Sequence, residues 1–140
     1  MKKIYLAILQ LTIFASLHAQ ADVVKDSLSK KNIPEDSIFI APAVEAYFHG
    51  GAHEWGMYLM RNLVYPYDAQ VKRIQGSVTV VFTVEKNGRL HDVHAVGGPE
   101  PLQREAIRLI KDSPRWIPAM QDGQKVRAYK TQNVTFKLAD

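Results

Sequence analysis

Gly76 to Val96 reads GSVTVVFTVEKNGRLHDVHAV, two short runs that meet at the dipeptide Asn87-Gly88. The first run alternates, with apolar side chains at Val78, Val80, Phe82 and Val84. Because successive side chains of a strand point to opposite faces of a sheet, one face of this strand is apolar. Asn-Gly tolerates the positive φ that a type I′ turn needs at both central residues. The stretch therefore predicts a β-hairpin with a type I′ turn and a return strand that starts near Leu90.

The residues after the hairpin predict a helix and then a final strand. The helix begins near Pro99 to Pro101 and ends at Ser113-Pro114, and its apolar stripe predicts that one face lies on the sheet. The stripe consists of Leu102, Ala106, Leu109 and Ile110. Trp116, held near Pro118, is predicted to close the core. The final strand alternates at Val134, Phe136 and Leu138, whereas 127–133 is polar on both faces, as in an edge strand or a strand with a bulge.

The residues before the hairpin predict short helices. His53 to Leu63 has apolar residues at helical spacing, including Trp55 and Leu59, although Gly56 weakens such a helix by about 1 kcal/mol relative to alanine. Tyr65-Pro66 ends it, because the residue before proline is pushed out of the helical region. Asp68 to Arg73 is long enough for another helical turn before the hairpin.

This order of elements predicts an α+β fold. A crossover through a helix returns to the sheet with a fixed handedness, so the last strand most simply lies beside the first hairpin strand. We therefore expect a three-stranded antiparallel sheet, in the order second, first, third, with two helices packed on one face. The last strand then has an unpaired edge.

The N-terminus has the pattern of an export signal. Lys2-Lys3 precedes an apolar run from Ile4 to Phe14 and a small-residue end from Ala15 to Ala21, with cleavage predicted after Ala19 or Ala21. The alternative is an uncleaved membrane anchor, but the run is interrupted by polar residues and is shorter than the ~20 apolar residues of a spanning helix. We expect residues 1–21 to be a signal peptide and the mature protein to lie in the periplasm.

Residues 22–43 are predicted to form a polar linker or tail, and residues 44–140 a folded domain. The linker is rich in charged residues and contains Pro34 and Pro42 as breakers. Ile38-Phe39-Ile40 is a short apolar island within it. Two interpretations remain open: the island docks on the domain as an extra strand, or it belongs to a loosely held tail.

Composition excludes several classes of function. The chain has 140 residues, no cysteine and a formal charge of +4, to which Lys2 and Lys3 of the predicted signal contribute. Without cysteine there is no disulfide framework, thiolate metal site or lipid-modified cysteine. The remaining basic residues are scattered among acidic ones, so nucleic acid is not expected as a partner.

Catalytic and metal-binding residues are not expected either. His49 and His53 lie four apart, but Gly50 and Gly51 place them across a turn, and His91 and His94 project to opposite faces of a regular strand. Ser113 precedes a proline and has no evident base. No nucleophile elbow or phosphate-binding glycine loop is present. We therefore predict a protein that is not an enzyme and needs no cofactor or metal.

The ordered series of motifs from Val44 to Leu138 resembles the C-terminal domain of TonB proteins, most closely the form found in Bacteroidetes-type bacteria. The residues that carry the resemblance are Val44 to Gly51, Tyr58-Leu59, Asn62-Leu63, Tyr65-Pro66, Ala69, Gln75-Gly76, Val78 to Glu85, Asn87-Gly88, Asp92-Val93, Glu105-Ala106, Trp116, Pro118, Gly123, Val126, Val134, Phe136 and Leu138. They cover about two-thirds of the chain in one register. His49 stands where the family often has proline.

The resemblance implies an α+β domain that binds the Ton box, a short extended peptide of outer-membrane TonB-dependent transporters. It also implies coupling to ExbB/ExbD-type motor proteins if the chain is membrane-anchored. The family's energy transducers usually carry a membrane helix and a long proline-rich stalk, whereas residues 22–43 would reach only about 70 Å fully extended. The alternative is a periplasmic adaptor that has the same fold and no role in energy transduction.

The sheet edge and the resemblance point to the same binding mode. An unpaired row of backbone N–H and C=O groups accepts an added peptide strand, and alternate side chains give specificity. We predict that the partner binds along the polar part of the last strand, with nearby help from Gln75 and the Tyr65-Pro66 corner. The strand contributes Arg127, Tyr129, Thr131 and Asn133. An open edge also makes a homodimer by strand exchange plausible.

Overall fold

The structure, a computed structural model that describes residues 32–139, contains two long strands joined by a short loop. The chain divides into two compact units, residues 1–34 and residues 35–140. In the first unit only residues 32–34 are described, and they form neither helix nor strand. The predicted signal peptide and most of 22–34 therefore lie outside the described residues. Every helix and strand below belongs to the second unit.

That unit contains eight elements. They are β1 (Ile38–Phe39), α1 (Gly51–Asn62), α2 (Tyr67–Val71), β2 (Gly76–Val84), β3 (Leu90–Gly97), α3 (Glu100–Lys111), β4 (Ala119–Gln121) and β5 (Gln124–Phe136). The predicted hairpin, the helix on either side of it and the last strand are all present. The linker's apolar island, for which two interpretations were open, forms the strand β1.

The hairpin has the predicted strands but a different turn. β3 begins at Leu90 as expected, yet only Gly88 has a positive φ, 80°, so the type I′ prediction is wrong. Instead Gly88 N–H donates to Glu85 O at 2.8 Å, and Glu85 N–H donates to Arg89 O at 2.8 Å. A longer loop of this kind needs only one left-handed residue. The loop lies against the core, because the backbone N–H of Trp116 donates to Gly88 O at 3.0 Å.

β5 pairs antiparallel with the whole of β2, from Gly76 opposite Phe136 to Val84 opposite Ala128. The sheet order β1-β5-β2-β3 confirms the predicted position of the last strand beside the first hairpin strand. The sheet is larger than the expected three strands and is mixed, because β1 pairs parallel with β5 and β4 forms a small hairpin with its first residues. Both additions are two or three residues long, too short to produce an alternating pattern in the sequence.

The core lies between one face of this sheet, here called the helix face, and the helices. The predicted apolar positions of β2 and α3 are fully buried, together with Val134 and Phe136 of β5. Trp116 is 3% exposed and its ring meets Phe82 edge-on with centroids 5.0 Å apart, which confirms its predicted position in the core. Burial of each large side chain contributes roughly 1.5–3 kcal/mol to folding.

Polar contacts attach α1 to α3. The Tyr58 hydroxyl donates to Leu109 O at 2.8 Å, and Arg108 donates to Asn62 O at 2.8 Å. Glu105, only 9% exposed, accepts from Val64 N–H and from the Arg108 guanidinium. The hydrogen bond to Glu105 raises the pKa of Arg108 above its ordinary value. Glu105 is thus buried with its charge paired and hydrogen-bonded, as a buried carboxylate must be.

The crossing from β3 to α3 requires glycine at one position, which gives a test of the fold. Gly98 has φ 103°, and a Cβ there would lie 2.5 Å from Ser77 O and 2.6 Å from Val78 Cα. We expect Gly98→Ala to lower the free energy of unfolding by about 2 kcal/mol, from backbone strain and overpacking. Urea unfolding followed by circular dichroism measures this. Gly97→Ala is the matched control, since nothing lies within 4 Å of a Cβ at Gly97; equal losses in both variants would contradict the assignment.

Candidate functional site

Among the described residues, one edge of β5 is open over most of its length. β2 occupies one side of β5 from Ala128 to Phe136, and on the other side β1 pairs only with Arg127 and Ala128. Within residues 32–139, no strand pairs with that second side from Tyr129 to Phe136. This stretch is here called the free edge. Its unpaired backbone N–H and C=O groups are a template for an additional strand.

The opposite end of the sheet is a poorer template. β3 pairs with β2 through two register shifts, and Asp92 within it has φ 51°. Such bulges twist a strand and interrupt its row of hydrogen-bonding groups. β5, in contrast, runs against β2 for nine consecutive pairs without a shift. The free edge of β5 is therefore the more regular of the two outer edges of the sheet.

The predicted binding residues of β5 all lie on the outer face of the sheet, away from the helices. Arg127 donates two hydrogen bonds to the Glu85 carboxylate, at 2.8 and 2.9 Å, and this contact raises the pKa of Arg127. Asn133 Oδ1 accepts from the Thr79 hydroxyl at 3.0 Å. Thr131 stands opposite Val81 and Tyr129 opposite Thr83. The side chains of Arg127 and Asn133 are thus already engaged across the β2–β5 pair, while Tyr129 remains 44% exposed.

The other predicted residues meet at the C-terminal end of β5. The Tyr65 hydroxyl donates to Ile74 O at 2.5 Å, and its ring meets Phe136 edge-on at 5.7 Å. Gln75 Oε1 accepts from Leu138 N–H at 2.8 Å, and Pro66 precedes α2 as its N-cap. These contacts hold the end of β5 against the domain. Participation of any of the seven residues in binding stays a prediction.

Sequence reasoning missed an apolar cavity beside the free edge, here called the aromatic pocket. Its volume is about 190 Å³, and its lining residues are Tyr47, Phe48, Gly51, Ala52, Trp55, Trp116, Lys130 and Gln132. The rings of Phe48, Trp55 and Trp116 lie mutually within 5.2–5.8 Å. These rings come from three separate segments, so no local motif marks the pocket. The only signal in the sequence is the pair of long polar side chains, Lys130 and Gln132, on the face of β5 that is otherwise apolar.

His49 and His53 flank Gly51 and Ala52 of the aromatic pocket but do not line it, whereas His91 and His94 lie on β3. A bulge at Asp92 places His91 opposite Thr83 and His94 opposite Val81, two residues of the same sheet face. The expectation that the two histidines project to opposite faces is therefore wrong, because the strand is not regular between them. Even so, the described residues contain no group of three or more His, Cys, Asp or Glu side chains arranged to hold a metal ion.

Ser113 has a structural environment. Its hydroxyl donates to Ile110 O at 2.7 Å and accepts from Trp116 Nε1 at 3.0 Å. It therefore satisfies the indole N–H of a buried tryptophan at the end of α3.

An open sheet edge on a small α+β domain can accept an extended peptide as an added strand. The family model of the C-terminal domain of the Gram-negative bacterial TonB protein matches residues 61–138, more than half of the chain, and the chain therefore belongs to this family. The resemblance found in the motifs is confirmed, although the match begins within α1 rather than at Val44.

Comparison with solved structures also gives a match to a domain of this kind. The chain is similar to the C-terminal domain of TonB from Helicobacter pylori, determined in solution by NMR, with 22% sequence identity and a TM-score of 0.49. The similarity covers 61% of this chain and 78% of that one. No protein of curated function matches the chain. In the described part of the chain, none of the helices has both the length and the apolar character needed to cross a membrane.

The contacts of Tyr65 predict that it stabilises the end of β5. Tyr65→Phe keeps the ring against Phe136 but removes the hydrogen bond to Ile74 O, so we expect a loss of about 1 kcal/mol in the free energy of unfolding. Denaturant unfolding measures this, and hydrogen exchange at Leu138 N–H should become faster. Tyr67→Phe is the control, since Tyr67 is 77% exposed. A Tyr65→Phe variant as stable as Tyr67→Phe would contradict this role.

Proposed function

We propose that this chain is a TonB-like periplasmic protein that binds the Ton box of outer-membrane TonB-dependent transporters. Binding occurs by β-strand addition, in which the extended peptide pairs with the free edge of β5. This binding is one step of energy-coupled uptake through the transporter. The observation that carries the proposal is the free edge itself, an unpaired strand edge from Tyr129 to Phe136 in a domain of the TonB C-terminal family.

The pairing of β5 with β2 supports this role physically. Because one side of β5 is fixed by nine consecutive pairs, its other side is held extended before a partner arrives. Because the strand is already ordered, its binding to a partner carries a smaller entropy cost. Main-chain hydrogen bonds to the free edge then supply affinity that depends little on the sequence of the peptide.

The residues of the outer face are proposed to flank the bound peptide. A partner strand would place alternate side chains beside Tyr129, Thr131 and Asn133, at cross-strand distances of about 4.5–5.5 Å between Cβ atoms. Exposed Tyr129 offers the largest contact area among them. Arg127 marks the limit of this surface, because β1 covers the edge at that residue.

Titration with transporter peptides tests strand addition. Peptides copied from the Ton-box segments of the transporters encoded in the same genome are added to 15N-labelled protein, and backbone amide shifts are followed. We expect the largest shifts in residues 129–136. A peptide with proline at a central position should bind about fivefold more weakly for each main-chain hydrogen bond that it loses. Shifts confined to β3 or to the helices, with the free edge unchanged, would refute this binding mode.

Export to the periplasm is the second part of the proposal, and N-terminal sequencing tests it. We expect the mature protein in the periplasmic fraction to begin at Gln20 or Asp22, the residues that follow the two predicted cleavage positions. An intact Met1 in the membrane fraction would instead favour an anchored transducer that works with ExbB/ExbD-type motor proteins. A cleaved product favours an adaptor that binds transporters without direct coupling to that motor.

A further inference from the structure

The aromatic pocket lies where a strand added to β5 would point its side chains. On the helix face of β5, Val126, Ala128, Val134 and Phe136 are buried, but Lys130 and Gln132 between them are only partly covered. These two residues form one wall of the pocket. A neighbouring strand lies about 4.7–4.9 Å from β5 and directs every second side chain to the same face. A partner residue opposite Lys130 or Gln132 would therefore face the pocket.

β1 shows that this edge already accepts a strand with an aromatic residue on the helix face. Ile38 pairs with Arg127 and Phe39 with Ala128, in parallel orientation. Phe39 thus shares the helix face with Ala128, and its side chain is partly buried. The next helix-face positions along the edge lie opposite Lys130 and Gln132. The chain itself does not reach them, because it turns away after Ile40 and passes through Pro42 to the segment that pairs with β4.

The lining of the pocket selects the kind of side chain. Phe48, Trp55 and Trp116 are 7%, 8% and 3% exposed, so their rings form walls that are fixed by the core. The ammonium of Lys130 is paired with Glu45 at 3.0 Å, which leaves no net charge at this wall. A cavity of about 150 Å³ with apolar walls is large enough for a benzene ring. The pocket, at about 190 Å³, has room for one large neutral apolar side chain.

We propose that the aromatic pocket receives one large apolar side chain of the partner strand and so determines which peptides the free edge selects. The preferred partner is an extended segment with an aliphatic or aromatic residue opposite Lys130 or Gln132. This proposal rests on strand addition at the free edge, the binding mode proposed above. It adds the source of sequence selectivity, which main-chain pairing alone does not provide.

A pair of nearly isosteric probes tests the selectivity. The probes are acetyl-Thr-Ser-Thr-X-Thr-Ser-Thr-amide with X as leucine or asparagine, which differ little in shape but strongly in polarity. We expect the leucine probe to bind about tenfold more tightly, since burial of a leucine side chain is favourable. Both tryptophans of the chain line the pocket, so intrinsic fluorescence and the indole N–H signals report its occupation directly.

Filling the pocket provides the matched variants. Ala52 lines the pocket and is exposed, so Ala52→Leu adds bulk there without disturbing the core, and leucine suits a helix. We expect this variant to lose the tenfold preference while it still binds both probes weakly at the free edge. His53→Leu is the control, because His53 is exposed on the same helix but does not line the pocket; it should keep the preference. Thermal unfolding verifies that both variants fold.

The outcomes separate this proposal from strand addition. Equal affinity of the two probes, with shifts along 129–136, would overturn the pocket's role and leave strand addition intact. Absence of any free-edge shift with the leucine probe would also overturn it, and the transporter peptides would then decide whether strand addition fails as well. A preference that survives in Ala52→Leu would place selectivity elsewhere on the edge.

Discussion

The antiparallel pairing of β2 with β5 is the interaction on which the rest of this structure depends. It joins residues that are about fifty sequence positions apart in an unbroken register, so a long loop must close before any of these hydrogen bonds form. Once formed, the pairing places β2 between two neighbours and buries its apolar face under α3. It also fixes which side of β5 remains open. The core and the proposed binding edge are thus two consequences of one strand pair.

Much of this arrangement could be predicted from the sequence, because its signals are local and periodic. Alternation from Val78 to Val84 and the helical stripe from Leu102 to Ile110 each determine which face is buried. The predicted type I′ turn of the hairpin was wrong because Asn-Gly is compatible with more than one loop. Contact with the backbone of Trp116 selects among them. The bulge at Asp92 carries no comparable sequence signal. β1 and β4 are too short for a pattern, and they form only because the ends of β5 offer backbone groups to pair with.

The site was predicted less completely than the fold, for a related reason. Polarity on both faces indicated an edge strand or a bulged strand, and the structure has the open edge beyond β1. The same polarity directed attention to the outer-face residues, such as Arg127 and Asn133. Those side chains form hydrogen bonds with Glu85 and Thr79, and these bonds stabilise the β2–β5 pair. The aromatic pocket depends on rings from the segment before α1, from α1 itself and from the segment after α3. Such a site exists only after tertiary packing.

β1 occupies part of the edge that the proposed partner would use. β1 contributes only two residues to the edge, and the nearby ion pair between Lys86 and Glu35 has side chains that are 34% and 87% exposed. Exposed ion pairs of this kind contribute little to stability, so this contact holds β1 only weakly. A partner strand that extended past Tyr129 would meet β1 at Ala128 and compete with it for the same backbone groups. β1 therefore limits the length of peptide that can pair with the edge without displacing β1. The aromatic pocket lies just beyond β1, beside the first positions that a partner can occupy without this competition.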